Sequence, residues 1–406
     1  MYDVLIVGAG PAGSLAAKLL ASEGYDVIII EKEVLPRDKP CAGWITPQVL
    51  DLLGLNPSRF ECCQSINGAV LWQVENGRFR PYVVKFHEPI SYGIRRIEFD
   101  TILTEMAKDA GAEVLDSTQV TSVHRQKEMI CIQASHNQEL KGKFIIGADG
   151  THSIVAKDLW IRRKWKPSEL VQCVVSETEV GASIENLTDY YGYPELFLNA
   201  GSNSYSWFFT KGPYLNVGLG TQMSKITPNH NIQTLYAAYL QNLKQIYRMN
   251  EINLAPIKAD LYPVYCGPYH YPTYESRAIL TGDAGGFPIN STGEGIRPAL
   301  LSGKFAAETL IQALKEESTN LKPYFTKWHQ ALRNEYIIGD LLQLINSASN
   351  EEVVKSLFIE DPRFRRLFFD LFFIRKKPGE LFREFLLYSP FLPLGFFRYG
   401  LRKIIK

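Results

Sequence analysis

Hydrophobic and polar positions follow two rhythms along this chain. Tyr2 to Val7 (YDVLIV) is a short β-branched, apolar run, the pattern of a buried parallel strand. Ser14 to Glu23 carries apolar residues at helical spacing and stops at Gly24. Asp26 to Ile30 reads as a second strand and ends in Glu31. Ile97 to Ala110 is an amphipathic helix, and Ala112 to Asn137 reads as a strand plus a hairpin. Phe144 to Gly147 and Ala278 to Leu280 are further strands, and Arg297 to Lys315 a further helix. Residues 166–265 differ in texture. They are β-rich, aromatic and turn-rich, as in Tyr190-Tyr191-Gly192-Tyr193-Pro194. Residues 320–406 read as a helical tail.

Bulk properties narrow the classes. With 406 residues, 46% hydrophobic and 21% charged, the chain has material for two or three domains with large cores. A net charge of +1 argues against whole-protein attraction to nucleic acid. The six cysteines (Cys41, Cys62, Cys63, Cys131, Cys173, Cys266) form no CxxC pair and no ligand spacing with the seven histidines. That predicts a reducing compartment and no metal site. No signal peptide is expected, and no run approaches the roughly 18 apolar residues of a membrane span. No internal repeat is visible.

The glycines then carry the chemistry. Gly8-Ala9-Gly10-Pro11-Ala12-Gly13 lies between the first strand and the first helix. Gly8 suits a tight turn, Gly10 lets a pyrophosphate approach the backbone, and Gly13 lets helix and strand pack closely. The helix N-terminus offers free N–H groups and a partial positive charge to phosphates. Glu31, 18 residues after Gly13, ends the second strand where a carboxylate accepts ribose hydroxyls and disfavours a 2′-phosphate. These features say dinucleotide. Two later strand ends, Asp149-Gly150 and Gly282-Asp283-Ala284-Gly285-Gly286, read alone as ordinary turns or as parts of one extended ligand site. Gly293-Glu294-Gly295-Ile296 follows and opens the helix to Lys315.

Over residues 1–315 the pattern resembles the aromatic-hydroxylase-type (group A) FAD fold. The resemblance implies an α/β chain: a discontinuous Rossmann-like FAD-binding domain, an inserted antiparallel β-sheet substrate domain and a C-terminal helical tail. The FAD-binding parts are expected at 1–66, 97–165 and 266–319. Substrate-domain strands are expected at 67–96 and 166–265, the segment Gly68 to Tyr92 joining the β-rich region in a sheet over the flavin, and the tail at 320–406. Asp283 would hold the ribityl and pyrophosphate end. Gly293 to Ile296 would lie against the flavin pyrimidine edge, and Asp149-Gly150 would shape the cleft from the other side. Lys32, Arg96 and Val120 complete the implied cofactor contacts. For Arg96, a solvated helix-start charge is the alternative.

Lys39-Pro40-Cys41-Ala42-Gly43, Tyr205-x-Trp207-x-Phe209-x-Lys211, Asn216-Val217-Gly218-Leu219-Gly220 and Gly293-Glu294-Gly295-Ile296 together resemble the geranylgeranyl reductase family. Its members reduce isoprenoid double bonds in archaeal lipids, chlorophyll precursors and menaquinone tails. Ser202 and Thr210 stand where the family's sheet motif has prolines, Asn290 stands where the family often has another, and Cys41-Ala42-Gly43 departs from C-G-G. Tyr205, Trp207 and Phe209 share one strand face by their period of two. Such a stripe serves equally as sheet core or as the lining of an apolar tunnel, and the resemblance implies the tunnel. It also implies that Cys41, Ala42 and Gly43 lie near the flavin, with Cys41, Tyr205 and Trp207 as catalytic candidates. A small half-buried thiol is the alternative for Cys41. His152, at a helix start, reads as structural or exposed.

The expected reaction is delivery of a hydride from reduced FAD to one alkene carbon and of a proton, from Cys41 or a water, to the other. No second nucleotide fingerprint exists, so NAD(P)H or a reduced ferredoxin would act as a transient donor. Pro362 to Lys406 holds 11 Lys/Arg, three Asp/Glu and 12 aromatics, a net of +8. That composition suits contact with an anionic bilayer, or a helical cap on the FAD domain. The expected location is cytoplasmic, peripheral on the membrane face. Two competing functions are a monooxygenase or halogenase of a small aromatic or polyketide, and a non-catalytic flavin electron-transfer protein at the membrane. The halogenase W-x-W-x-I-P motif is absent.

Overall fold

Tyr2–Val7 forms an inner strand of an eight-stranded sheet. It pairs in parallel with Val27–Ile30 on one side and Gln138–Gly147 on the other, and the latter pairs in parallel with Ala278–Leu280. The computed structural model describes residues 1–75, 78–162, 164–199, 204–228, 230–247, 252–264, 270–290, 292–348, 362–372 and 378–387. Two units divide the chain. One holds residues 1–39, 97–169 and 262–336, the other 40–96, 170–261 and 337–406.

In the first unit the alternation of side chains along each strand builds two cores. Val4, Ile6, Val27, Ile29, Phe144 and Ile146 pack under the helices Pro11–Ser22 and Ile296–Lys315 and beside Tyr324, Trp328 and Tyr336. Leu5, Val7, Ile28, Ile30 and Ile145 face Val155, Leu159 and the hairpin Val120–Gln126/Met129–Ala134. Register aligns the strand ends: Val7 sits opposite both Ile30 and Gly147, and Gly147 opposite Leu280. Gly8, Glu31, Ala148 and Thr281 therefore begin their turns at one edge, the carboxyl edge where open α/β sheets bind ligands.

The second unit is a seven-stranded sheet in the order Lys258–Pro263, Leu170–Glu179, Tyr214–Gln222, Ser204–Lys211, Glu195–Asn199, Gly68–Glu75, Arg78–Lys85. From Leu170–Glu179 through Tyr214–Gln222 and Ser204–Lys211 to Glu195–Asn199 the neighbours are antiparallel, as are Gly68–Glu75 and Arg78–Lys85, while 195–197 pairs in parallel with 70–72. The helix Ile232–Ile246 covers one face through Ile232, Tyr236, Tyr239 and Leu243.

Several bounds differ from the sequence reading. The first helix starts at Pro11, not Ser14, because proline's fixed φ suits the first helical position. The helix expected from Ile97 begins at Arg96, and the one expected from Arg297 begins at Ile296. The first stretch of the nucleotide unit ends at Lys39 and not at 66. Its continuation is claimed by pairing, since Trp44–Ile45 and Cys63–Ile66 both bond the strand Ser91–Ile94. In the tail, Leu367 and Phe369 of the helix Pro362–Phe372 are buried, and Arg366 stacks on Phe86 at 4.0 Å. These contacts are those of a cap on the second unit. Phe396-Phe397 and the rest of 388–406 lie outside the described residues. No described helix is long and apolar enough to cross a membrane.

On the helix-covered face, Glu195 is fully buried. It accepts hydrogen bonds from Trp72 Nε1 (2.6 Å), Thr188 Oγ1 (2.6 Å) and the Tyr247 hydroxyl. Burial outweighs these three donors and pushes its carboxyl from 4.5 up to about 7. A raised carboxyl favours the folded state while protonated. Its contribution is full below pH 4.5 and is lost as pH rises through about 7. We expect about 3 kcal/mol of stability to disappear over that window. Glu195→Gln should remove this part of the pH dependence, measured as the difference in Tm between pH 5 and pH 8. An unchanged difference in the variant would show that other groups set it.

Candidate cofactor cradle and aromatic sheet face

At the carboxyl edge of the first unit, three glycine-rich turns meet. Gly8 has φ +103°, and a side chain there would lie 2.3 Å from Ala148 O and 3.2 Å from Asp149 Cα. A Cβ on Gly13 would reach Gly8 O at 2.1 Å. These two glycines bring the first turn against the Asp149-Gly150 turn. A Cβ on Gly282 would meet Ala12 Cβ at 3.6 Å, and one on Gly303 would meet Ala12 O at 2.3 Å. The small Ala12 thus lets the first helix, the Gly282 turn and the helix Ile296–Lys315 close on each other. Gly282 N also donates to Ser302 Oγ at 3.0 Å.

What remains polar here suits an anionic nucleotide. The first helix has Gly10 as N-cap, with no side-chain cap and no acid in its first turn. Gly10 itself has open space, its nearest neighbour being the Arg37 guanidinium at 3.9 Å. Arg37 is held between Glu31 (3.5 Å) and Asp100 (3.2 Å). Glu31 accepts from Ala9 N at 2.9 Å and Glu33 N at 3.1 Å, so its carboxylate also anchors the glycine turn. Lys39 faces Asp283 at 3.4 Å. Asp283 Oδ1 lies 3.9 Å from where a Cβ on Gly295 would sit. Gly295 caps the helix Ile296–Lys315 without a side-chain bond, and Gly293 (φ +69°) makes the turn before it.

Asp149 caps the helix that follows its turn. Its Oδ2 accepts from Ile154 N (2.7 Å) and Val155 N (3.2 Å), while Oδ1 is buried with no hydrogen-bond partner. Burial pushes this carboxyl above its usual range. Gly150 (φ +75°) has open space around it. Val120 and Arg96 are buried, Lys32 is exposed against Glu33 at 3.8 Å, and His152 is exposed.

The sequence reading missed Arg162 and Trp165. Arg162 donates to Ala284 O at 3.0 Å and stacks on Trp165 at 3.6 Å. Trp165 Nε1 donates to Thr151 O at 3.0 Å. One buried cation–π pair therefore bolts the Asp149 turn to the Gly282 turn. Nothing in the local pattern marks it, since Ala284 lies 122 residues further along the chain.

In the second unit, Tyr205, Trp207 and Phe209 share the face opposite the covering helix. Tyr205 and Trp207 stack at 5.7 Å, Trp207 and Phe209 lie 6.3 Å apart, and Trp44 meets Phe209 edge-on at 5.1 Å. The glycines of the neighbouring strand explain the arrangement. Trp207 pairs with Gly218 and Tyr205 with Gly220. A Cβ at Gly218 would strike the indole at 2.1 Å, and one at Gly220 the phenol at 3.1 Å. The rings lie flat on bare backbone and form an aromatic floor.

A polar cluster closes one end of that floor. Trp207 Nε1 donates to Asn216 Oδ1 at 2.7 Å. Asn216 Nδ2 donates to Cys41 O at 3.0 Å and Glu177 Oε2 at 2.8 Å. Buried Lys211 pairs with Glu177 and donates to Ile94 O at 3.2 Å. Gly43 (φ +67°) sits so close that a Cβ would lie 2.1 Å from Ile94 O and 2.5 Å from Lys211 Nζ. Gly43 N donates to Cys41 Sγ at 3.3 Å, and Ala42 and Cys41 are half-buried. The floor is thereby wired to the Cys41 loop. Thr210, where the family motif has proline, accepts from Gly192 N at 2.8 Å. Among the described residues no cluster of His, Cys, Asp and Glu has the makings of a metal site.

The comparisons agree with this architecture. Residues 1–249 match the family model described as FAD binding domain. The chain belongs to that FAD-binding family. It is 29% identical over 381 residues to digeranylgeranylglycerophospholipid reductase 1 of Methanopyrus kandleri, covering 88% of this chain and 94% of that one. An uncharacterized protein of Methanosarcina barkeri is 32% identical over 316 residues, 77% of this chain and 76% of that one. Two solved structures share the fold. A geranylgeranyl bacteriochlorophyll reductase-like protein of Thermoplasma acidophilum has a TM-score of 0.72 at 20% identity, over 91% of this chain and 99% of that one. A flavin-dependent brominase has a TM-score of 0.73 at 19% identity, over 96% and 100%.

Arg162→Met keeps the bulk and deletes both contacts of the bolt. We expect it to cost about 2 kcal/mol of stability, in line with loss of a buried charged hydrogen bond. It should also weaken FAD binding about tenfold, read by flavin fluorescence on titrating apoprotein, with Arg162→Lys recovering part of the loss. Gly218→Ala should displace the indole and lower Tm by several degrees, with the near-ultraviolet circular dichroism of the tryptophans changing.

Proposed function

We propose that this FAD-dependent oxidoreductase reduces carbon–carbon double bonds of a polyprenyl, geranylgeranyl-type lipid or quinone tail. The observation that carries the reading is the aromatic floor of Tyr205, Trp207 and Phe209 laid over Gly218 and Gly220. A flat apolar surface built on bare backbone suits a long, slender hydrocarbon. The named reductases among the relatives, matched over most of their length, support the same substrate class.

The residues present fit FAD. The uncapped first helix with its open Gly10 would take the pyrophosphate, and Glu31 the ribose hydroxyls. Asp283, with Gly293, Gly295 and Ile296, would hold the ribityl and ring end. There the dipole of the helix Ile296–Lys315 favours negative charge. Bound and reduced, FAD supplies a hydride to one alkene carbon.

The chain's own residues do the rest. An isolated alkene is a poor electrophile, so Tyr205 and Trp207 must hold it still and keep water away. The Trp207–Asn216–Glu177 wiring fixes the floor's position relative to the Cys41 loop. The Cys41 thiol then serves as proton source for the second carbon, directly or through a water, completing addition of two hydrogens. NAD(P)H or a ferredoxin-like protein would reduce the flavin. The basic, aromatic stretch 362–406 would hold the protein peripherally on the cytoplasmic face of a membrane, through residues other than the inward-facing Leu367 and Phe369.

Photoreduce the purified yellow protein anaerobically, add a detergent-dispersed polyprenyl lipid, and follow flavin reoxidation with product mass. A gain of two hydrogens per bond is expected. Oxygen incorporation in air would instead identify a monooxygenase, and absence of any lipid turnover an electron-transfer role. Cys41→Ala should slow reoxidation by about a hundredfold, the scale of lost general-acid catalysis, while leaving FAD content unchanged.

A further inference from the structure

In the first unit, the short helix Ile154–Asp158 ends in an unusual way. Leu159 and Ile161 are buried at 6% exposure each, and Trp160 between them is 79% exposed. Trp160 has φ +59°, and its N–H bonds Lys157 O at 3.2 Å, while Arg162 N–H bonds Ala156 O at 3.1 Å. This is the left-handed position just past a helix end, which glycine normally takes because a side chain there is strained. A tryptophan serves the fold badly at such a point. It strains the turn and buries little of its ring.

The surroundings say what the indole is for. Residues 157–169 hold five cations and two acids, a net of +3. Among the described residues the exposed cations of this stretch are Lys157, Lys164 and Lys166. Their ion pairs, to Asp158 at 3.5 Å and Glu169 at 3.9 Å, are long and at the surface, so they leave much of the positive field in solution. Of the two arginines, Arg162 is buried and committed to Ala284 and Trp165, and Arg163 lies outside the described residues. Protein–protein interfaces favour tryptophan with arginine and are poor in lysine. Bilayer surfaces take tryptophan at the headgroup level with lysines above the anionic phosphates.

We propose that Trp160, flanked by Lys157, Lys164 and Lys166, is a membrane-contact site that docks the first unit on an anionic lipid bilayer. The site lies apart in sequence from 362–406. It rests on the lipid-reductase reading for its purpose and on the exposed, strained indole for its existence.

The test uses the full-length, FAD-loaded protein and sedimentation with vesicles of phosphatidylcholine alone or with phosphatidylglycerol. Trp160→Gly is the informative variant, because glycine relieves the left-handed strain. It should keep or raise Tm and yet lower partitioning onto the anionic vesicles about tenfold. Replacing Lys157, Lys164 and Lys166 together by Gln should flatten the salt dependence of binding. Trp160→Gly that binds anionic vesicles like the parent overturns the proposal. So does binding that is equal on neutral vesicles, or an indole that is protected only by a soluble acidic protein. Reduction of detergent-dispersed lipid should be the same in Trp160→Gly and parent, while reduction of vesicle-embedded lipid falls. If neither lipid form is reduced, the reductase reading fails while the vesicle result still judges the docking site.

Discussion

Backbone packed directly on backbone is the condition for everything chemical in the nucleotide unit. Gly8 lies against Ala148, Gly13 against Gly8, and Gly303 against Ala12, each at a distance that admits no Cβ. Because of these contacts, the strand ends that register already aligns are drawn together at one rim, where the uncapped first helix begins. Glu31 then bonds the Ala9 amide, and Arg37 fills the gap between Glu31 and Asp100. The carboxylate expected to meet a ribose thus also holds the phosphate loop. Loss of that side chain would loosen two parts of the cradle together.

The second unit solves a different problem with the same device. Aromatic side chains on a sheet usually interdigitate with neighbours and become core. Here Gly218 and Gly220 bear no side chains, so Trp207 and Tyr205 lie along the sheet, with Trp207 and Phe209 buried there. The cost is a strand with little side chain to pack on that face, and the polar cluster offsets it. Asn216, Glu177 and Lys211 satisfy one another and tie the strand to Cys41 and Ile94. A buried ion pair adds little stability against an apolar replacement, but it enforces one arrangement. That single arrangement fixes Trp207 relative to the Cys41 loop.

Much of this was legible in the chain. The strand Tyr2–Val7 lies where its apolar run placed it, and Tyr205, Trp207 and Phe209 do share a face, because both facts follow from local periodicity. The glycines announced the turns, since few other residues tolerate those angles. What stayed hidden depends on distant partners. Residues 40–66 joined the second unit through pairing with Ser91–Ile94, which no local pattern encodes. Glu177 reads as one more strand carboxylate until Lys211 and Asn216 arrive 34 and 39 residues later. Arg162 and Trp165 carry no local signal, yet their side chains are buried and join two turns.

The fold alone decides less about chemistry than these side chains do. A brominase and a reductase-like protein superpose on this chain almost equally well, with TM-scores of 0.73 and 0.72. The shared part is the cradle and the sheet, which position a flavin and a surface. What separates the outcomes is what the chain sets upon the surface. A small, polar aromatic substrate needs hydrogen-bond partners aimed at its ring substituents. A polyprenyl chain needs apolar area and exclusion of water, with polarity confined to the point where a proton is handed over. On the Trp207 face polarity is gathered at one end, in Asn216, Glu177 and Lys211, whose bonds reach the Cys41 loop. That distribution matches the second requirement.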